Sequence, residues 1–366
     1  MIYTMTLNPS LDYVVRVSDL KPGNLHRTQS EELYVGGKGI NVTAVLKQLG
    51  ADSLCLGFTA GFTGREIEHR LHQMGICFDF VTASEGTSRI NVKVKSDQSV
   101  ETEINGQGPV IGVPDLELLY RKLERIQDGD TLVLSGSAPG KLKYNDNSDL
   151  CNHGIDIYTN NCGMSRDKND ICTNNFSMPR DRIDINAGNY GMLMDRNDIY
   201  ADICGRLTDR RLKLVVDAEG QLLRNTLKYR PFLIKPNQQE LSRLFGRNLT
   251  TEEGIIACAK QLQEEGAQNV LVSLAGDGAL LVDSLGGVTR QKAPRGKVLN
   301  SVGAGDALVA GFLYGLIKTG EDGLKVDYTA EEYQSALKFG VAAGSAAAFT
   351  EGFPDKDMIE ELYQSL

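Results

Sequence analysis

Short apolar runs punctuate the first 140 residues and return after residue 197. "IYTMTL" (2–7), "SLCLGF" (53–58), "TLVLSG" (131–136), "LKLVVD" (212–217), "PFLIKP" (231–236) and "NVLVSL" (269–274) each have the length and apolar content of a buried strand. Between them, "INVTAVLKQLG" (40–50), "EEGIIACAKQLQEEG" (252–266) and "ALVAGFLYGLIKTG" (307–320) carry helical patterns. Apolar strands alternating with helices predict an α/β fold with a parallel sheet covered on both faces. Two stretches follow a different rule. Residues 12–34 and 89–109 alternate polar and apolar positions, as antiparallel ribbons exposed on one face do, and read as a small β flap.

Between 141 and 197 the pattern fails. Nineteen of these 57 residues are Asn or Asp, and fourteen-residue units repeat from Cys151: CNHGIDIYTNNCGM, SRDKNDICTNNFSM, PRDRIDINAGNYGM, LMDRNDIYADICGR. Asp156, Asp170, Asp184 and Asp198 fall in register, each followed by Ile. Each unit has too few apolar side chains to build a core by stacking. The stretch reads as a tandem expansion forming a mobile loop on the active-site side, inside one domain spanning 1–366. Cys151, His153, Cys162 and Cys172 match no familiar zinc spacing.

Composition narrows the picture. The chain has 366 residues with a net charge of −9, which argues against nucleic acid as a main partner. No apolar run is long enough to span a bilayer, so no membrane partner is expected, and the N-terminus reads as a strand rather than a signal peptide. Seven cysteines then suggest reduced thiols in a cytoplasmic protein.

Two glycine clusters carry the candidate chemistry. In "NSVGAGDALVAGF" (300–312), Gly303, Ala304 and Gly305 leave backbone N–H groups bare at a helix start, which makes an anion hole. Asp306 at its rim would repel a static anion. It makes sense beside a moving phosphoryl group, where it takes a proton from the attacking hydroxyl; the bland alternative is a helix cap. The helix dipole should favour the charged form of Asp306 and make it a weak base. In "VGGKGINV" (35–42), Lys38 sits inside a Gly36-Gly37 turn with Asn41 on the next helical turn, suited to a phosphorylated or polyhydroxylated ligand; the alternative is a turn with a solvated Lys. Asp12 of "TLNPSLDY" is an acceptor for sugar hydroxyls, or a turn acid.

Together with "TSRINVKVK", "ETEINGQGP", "LSGSAP", "LIKPNQQEL" and "VSLAGDGALL", these segments resemble, in family order, the PfkB carbohydrate kinases of the ribokinase fold. The resemblance covers 1–140 and about 198–366. It implies a three-layer α/β/α sandwich with a small β-sheet lid, and phosphoryl transfer from ATP with Mg²⁺ to a sugar phosphate. "TEINGQGP" favours D-fructose 1-phosphate as acceptor over tagatose 6-phosphate. A sugar-phosphate or nucleotide-binding protein spoiled by the insertion is the reading from another class. The resemblance assigns the base to Asp306 and the anion hole to Gly303, Ala304 and Gly305. It gives sugar binding to Asp12, Gly36, Gly37, Lys38 and Asn41, and the existing phosphate to Arg89, with Ser137 nearby. Lys235, Asn237, Ser273, Gly276 and Gly278 would meet the nucleotide, and Glu240 would hold Mg²⁺ through water. The alternative for Ser137 is a strand end, and for Glu240 a helix-surface acid. The lid implies a homodimer.

Overall fold

The structure, a computed structural model, describes residues 1–97, 101–143, 156–158, 180–182, 198–318 and 327–366. A nine-stranded sheet runs through it. In spatial order its strands are Val288–Gln291, Ala279–Val282, Asn269–Ser273, Leu233–Ile234, Lys213–Asp217, Thr131–Ser135, Ile2–Thr6, Ser53–Thr59 and Phe78–Thr82. The last seven are parallel; the first two pair antiparallel at one edge. Alternating side chains along each strand feed two cores. Leu132, Leu134 and Val216 enter one, Val133 and Val215 the other, as expected of strands covered on both faces.

The run 231–236 forms only a two-residue strand. Pro231 and Pro236 lack the N–H that a ladder needs, so the pairing stops inside them. Helices Lys38–Gln48, Glu252–Glu264 and Ala304–Lys318 occupy the three predicted stretches, shifted by a residue or more. The third starts earlier than the apolar pattern suggested, so Asp306 lies within its first turn. This helix packs closely on helix Ala330–Phe349. A Cβ on Gly311 would come within 2.6 Å of the Ala343 Cβ, and one on Gly315 within 2.7 Å of the Ala336 Cα. These small residues let two backbones meet and fix the axis on which Asp306 rides.

A separate four-stranded sheet has the order Ser30–Gly36, Ser10–Val17, Arg89–Ser96, Glu101–Ile104. Strands 10–17 and 89–96 are parallel to each other, and the outer two are antiparallel to their neighbours. Beyond Gly140, Lys141–Lys143 pairs with Val110–Gly112, and Asp156–Tyr158 pairs antiparallel with Arg180–Arg182. The expectation of a mobile loop, and the candidate zinc residues Cys151, His153, Cys162 and Cys172, lie outside the described residues. Cys55, Cys77, Cys204 and Cys258 are free thiols. No helix among the described residues is long and apolar enough to cross a membrane.

Candidate active site

The functional residues gather where the parallel strands end. Asp217 closes strand 213–217, Lys235 follows Ile234, Ser273 ends its strand, and Gly136 and Ser137 follow Ser135. Open parallel sheets place ligands at these carboxyl ends. A single cleft of about 1190 Å³ runs from the four-stranded sheet across these ends to the Ser273–Gly278 segment. It is lined by Asp12, Gly37, Lys38, Asn41, Arg89, Ser137, Lys235, Asn237, Glu240, Ser273, Gly276, Gly278 and Gly303–Asp306. Gly36 is the exception among the predicted positions. It faces a smaller adjoining cavity, and a side chain there would collide with Ser10 and Asp12.

The turn before the catalytic-looking helix depends on Gly303, whose φ of 81° lies in the left-handed region. Of the first helical N–H groups, Ala304 bonds weakly back to the Ser301 carbonyl at 3.3 Å, and Ala307 bonds to Gly303 at 2.8 Å. Among the described residues, the Gly305 and Asp306 N–H groups show no backbone bond to the turn before the helix, so theirs are the N–H groups left for an anion. Facing them, helix 38–48 begins at Lys38. Its first turn is held by Thr6, whose Oγ1 accepts from the Ile40 N–H at 3.0 Å.

Between these two helix starts lies a buried charge cluster. Asp217 is fully buried, and its Oδ1 meets two ammoniums: Lys38 Nζ at 3.1 Å and Lys235 Nζ at 3.3 Å. Lys38 is 31% exposed at its side chain and Lys235 only 4%. Lys38 is therefore no solvated turn residue. Burial opposes its charge, but the carboxylates of Asp217, Asp306 and Glu240 hold its pKa above the ordinary lysine value. Burial also works against the Asp217 carboxylate, and the two ammoniums more than offset it, so Asp217 stays ionised.

Asp306 is buried, and its Oδ2 accepts from Asn41 Nδ2 at 2.8 Å. It caps no helix. Burial, reinforced by the Asp217 charge, pushes its carboxyl up to about 7 against the pull of Lys38, Asn41 and Lys235. This corrects the expectation from the helix dipole alone: desolvation outweighs the dipole, and the Asp306 carboxyl exchanges its proton near neutrality.

The four-stranded sheet supplies the other wall. Along strand 89–96, Arg89, Asn91 and Lys93 share the face turned to the cleft. Arg89 donates from Nε to the Asn8 carbonyl at 3.0 Å, and burial lowers its pKa while Asp12 opposes the change. Asp12 accepts from Ser10 Oγ at 2.6 Å and from Asn91 Nδ2 at 2.9 Å on one oxygen, and pairs with Lys93 at 3.4 Å through the other. Lys93 also reaches Glu103 at 3.8 Å.

Glu240 is not a surface acid. It is buried, and its Oε2 accepts from the Asn237 N–H at 2.8 Å while Asn237 caps the helix in return. Its Oε1 stands 4.0 Å from Lys38. Ser137 is exposed in the cleft beyond the strand end. Glu240 thus offers one oxygen to a cation, and among the described residues no group of three or more His, Cys, Asp or Glu side chains forms a cage. That donor set fits Mg²⁺, which keeps its waters and takes few protein ligands when phosphates carry it.

Asp217, Asn91, Lys93 and Glu103 were not singled out from sequence. Two signals could have found them: an acid closing the apolar strand "KLVVD", and the period-two spacing of Arg89, Asn91 and Lys93.

The family model described as pfkB family carbohydrate kinase matches residues 5–167 and 201–355, passing over 168–200. The chain is 36% identical over 362 residues to a protein of Bacillus subtilis (strain 168) named 1-phosphofructokinase, covering 99% of this chain and 97% of the relative. It is 33% identical to one of Bacillus licheniformis named D-tagatose-1-phosphate kinase, again covering 99% and 97%. Among solved structures, Escherichia coli phosphofructokinase-2 in complex with fructose-6-phosphate superposes with a TM-score of 0.76 at 25% identity, covering 100% of this chain and 98% of that one.

Proposed function

The chain belongs to the pfkB family of carbohydrate kinases, and from that premise we propose that it moves the γ-phosphoryl group of ATP to D-fructose 1-phosphate, giving fructose 1,6-bisphosphate and ADP. One observation carries the reading. Asp306, with a carboxyl near 7, stands at the mouth of the 303–305 turn in the same cleft as Arg89. Asp306 takes the proton of the C6 hydroxyl as its oxygen attacks the γ-phosphorus. The Gly305 and Asp306 N–H groups, with Lys38 and Lys235, face the charge that builds on the moving group. Arg89 presents its guanidinium fork to the phosphate already on C1, which does not react. Asp12 and Asn41 hold ring hydroxyls, Ser137 lies beside them, and Gly37 leaves room for the sugar. Asn237, Ser273, Gly276 and Gly278 line the nucleotide end of the cleft. Glu240 would hold Mg²⁺ through water, and the ion when bound neutralises phosphate charge.

The relative named for D-tagatose 1-phosphate favours a second acceptor, which differs from fructose 1-phosphate at one hydroxyl-bearing carbon. A coupled ADP-release assay with fructose 1-phosphate, tagatose 1-phosphate and tagatose 6-phosphate decides. A kcat/KM highest for fructose 1-phosphate is expected; no ADP release above the sugar-free rate with any of the three would overturn the reading.

We further read the chain as a homodimer built on the four-stranded sheet. Ile90 and Ile104 lie on the face away from the cleft, 43% and 63% exposed, with Val92 paired across from Ile104. An apolar sheet face left open to water suits a second copy. Sedimentation velocity tests this, and a monomer at micromolar concentration would contradict it. Cytoplasmic residence belongs to the same reading: the four described cysteines form no disulfide, as suits a reducing compartment.

A further inference from the structure

Asp306 is gripped from two sides by residues with no part in donating or accepting the phosphoryl group. On one side, Asn41 donates to Oδ2 at 2.8 Å, and no other side chain among the described residues bonds the carboxylate. The amide group thereby fixes the plane of the carboxylate and leaves Oδ1 as the oxygen without a partner, in a side chain that lines the cleft. Asn41 lies beside the turn, since a Cβ on Gly303 would stand in ordinary contact with its Nδ2 at 3.6 Å. On the other side, Asp217 is fully buried, and one of its oxygens holds both Lys38 and Lys235. One carboxylate oxygen thus restrains both ammoniums. Lys235 remains against the turn, its Nζ 3.4 Å from where a Gly305 Cβ would stand.

We propose that Asn41 and Asp217 are the positioning residues of the base: Asn41 orients the Asp306 carboxylate so that Oδ1 meets the sugar hydroxyl, and Asp217 holds Lys38 and Lys235 beside it. For Asn41 this is a role added to sugar binding, since its amide oxygen remains free to accept from a hydroxyl while its amide nitrogen serves the base. For Asp217 it is a first role. The inference rests on Asp306 being the base.

The two grips act on the ionisation of Asp306 with opposite sign, which makes them separable. The charged groups that act on Asp306 are Asp217, Lys38 and Lys235. Donation from Asn41 favours the carboxylate, so losing it raises the pKa. The Asp217 charge disfavours the carboxylate, so removing it lowers the pKa, opposed only in part by any drift of the two released lysines.

The test is the pH dependence of kcat at saturating sugar phosphate and ATP for the wild type, Asn41→Leu, Asp217→Asn and Asp306→Asn. Asn41→Leu keeps the volume and cannot donate; the acid limb of kcat should move up by about half a unit to one unit. Asp217→Asn should move the same limb down by a comparable amount and raise KM for ATP about tenfold, as the lysines lose their anchor. Higher KM values with both limbs unmoved would overturn the proposal and leave the two residues as contacts or packing. If Asp306→Asn keeps more than a tenth of wild-type kcat, the base assignment itself falls, and the proposal with it. Should a variant fail to fold, the ¹³C carboxyl titration of Asp306 in the unliganded wild type, assigned by its loss in Asp306→Asn, still decides. A midpoint near 7 supports the arrangement, and one near 4 overturns it.

Discussion

The floor of the cleft and the four-stranded sheet above it both hold acids between lysines, but they hold them differently. On the floor, Asp217 is fully buried between Lys38 and Lys235, and Asp306 is pushed far from its ordinary titration. In the sheet, Asp12 pairs with Lys93, and Glu103, 44% exposed, completes the set; all three belong to a sheet whose far face is covered at Leu11 but leaves Ile90 and Ile104 exposed. Charges on the floor are set before any ligand arrives, because Asp217, Lys235 and Asp306 are buried among helix starts and strand ends, which raises the strength of each interaction, while Lys38 keeps partial exposure. In the sheet Asp12 and Lys93 are mostly covered as well, and Glu103 is the charge within reach of solvent. The floor is built for the reacting group and the sheet for recognition.

The largest effect expected from this division is on turnover. Asp306→Asn should cut kcat by about two to four orders of magnitude with KM for the sugar phosphate changed only a few-fold, the scale of a lost general base. Steady-state kinetics check it. A variant keeping a tenth of kcat would put Asp306 on the recognition side of the division.

Arg89→Ala should show the reverse split. In the proposed site its contact is to a phosphate that does not react, and such a contact is equal in ground and transition states. KM for fructose 1-phosphate should rise about 10- to 100-fold with kcat within about threefold. An unchanged KM removes Arg89 from the substrate.

The floor should also cost stability at neutral pH. Asp306 titrates at about 7 in the folded chain against an ordinary 3.8. Between those values the unfolded chain has released a proton that the folded chain retains, so stability falls as pH rises through that window. Asp306→Asn removes the titration. It should unfold at a higher temperature than the wild type at pH 8, by on the order of 1 kcal/mol or more, with the advantage shrinking toward pH 4. Thermal melts at both pH values decide, and a variant less stable at pH 8 would show that the carboxylate is not strained.

Much of this was legible in the chain itself. Strands such as 131–135 and 213–217 are apolar enough to be read directly, and the two glycine turns announced an anion site. What stayed hidden depends on which side chains meet across distance. Nothing local in "KLVVD" says that its Asp will lie between lysines 179 and 18 residues away. The rise in the Asp306 pKa was misjudged because the helix dipole is visible in sequence and burial is not. Glu240 was ambiguous because a capping box looks the same whether its outer face meets solvent or a cleft.

The smallest effect is expected from the repeats, and it asks whether the floor stands alone. The described chain leaves the floor at Gly136–Lys143 and rejoins it at Asp198–Tyr200. Both points are anchored: Lys141–Lys143 pairs with Val110–Gly112, and the buried Tyr200 donates to the Gly136 carbonyl at 3.3 Å. Gly136 in turn donates to the Asp217 carbonyl at 2.9 Å, so Tyr200 backs the wall that carries Asp217. The intervening units repeat Asp and Ile at fixed spacing with few other apolar side chains, too few to form a core of their own. The family model passes over 168–200, which includes three of the four units in whole or part. We therefore expect that replacing 144–197 with a short turn, while keeping Lys143 and Asp198, leaves kcat and KM within about threefold and stability within about 1 to 2 kcal/mol, since closure entropy changes only slowly with loop length. A deletion that also removes Tyr200 should do worse, because it takes away the support behind Gly136. If the shorter deletion alone abolishes turnover in a chain that still melts cooperatively, the repeats are a working part of the enzyme, and the floor is not independent of them.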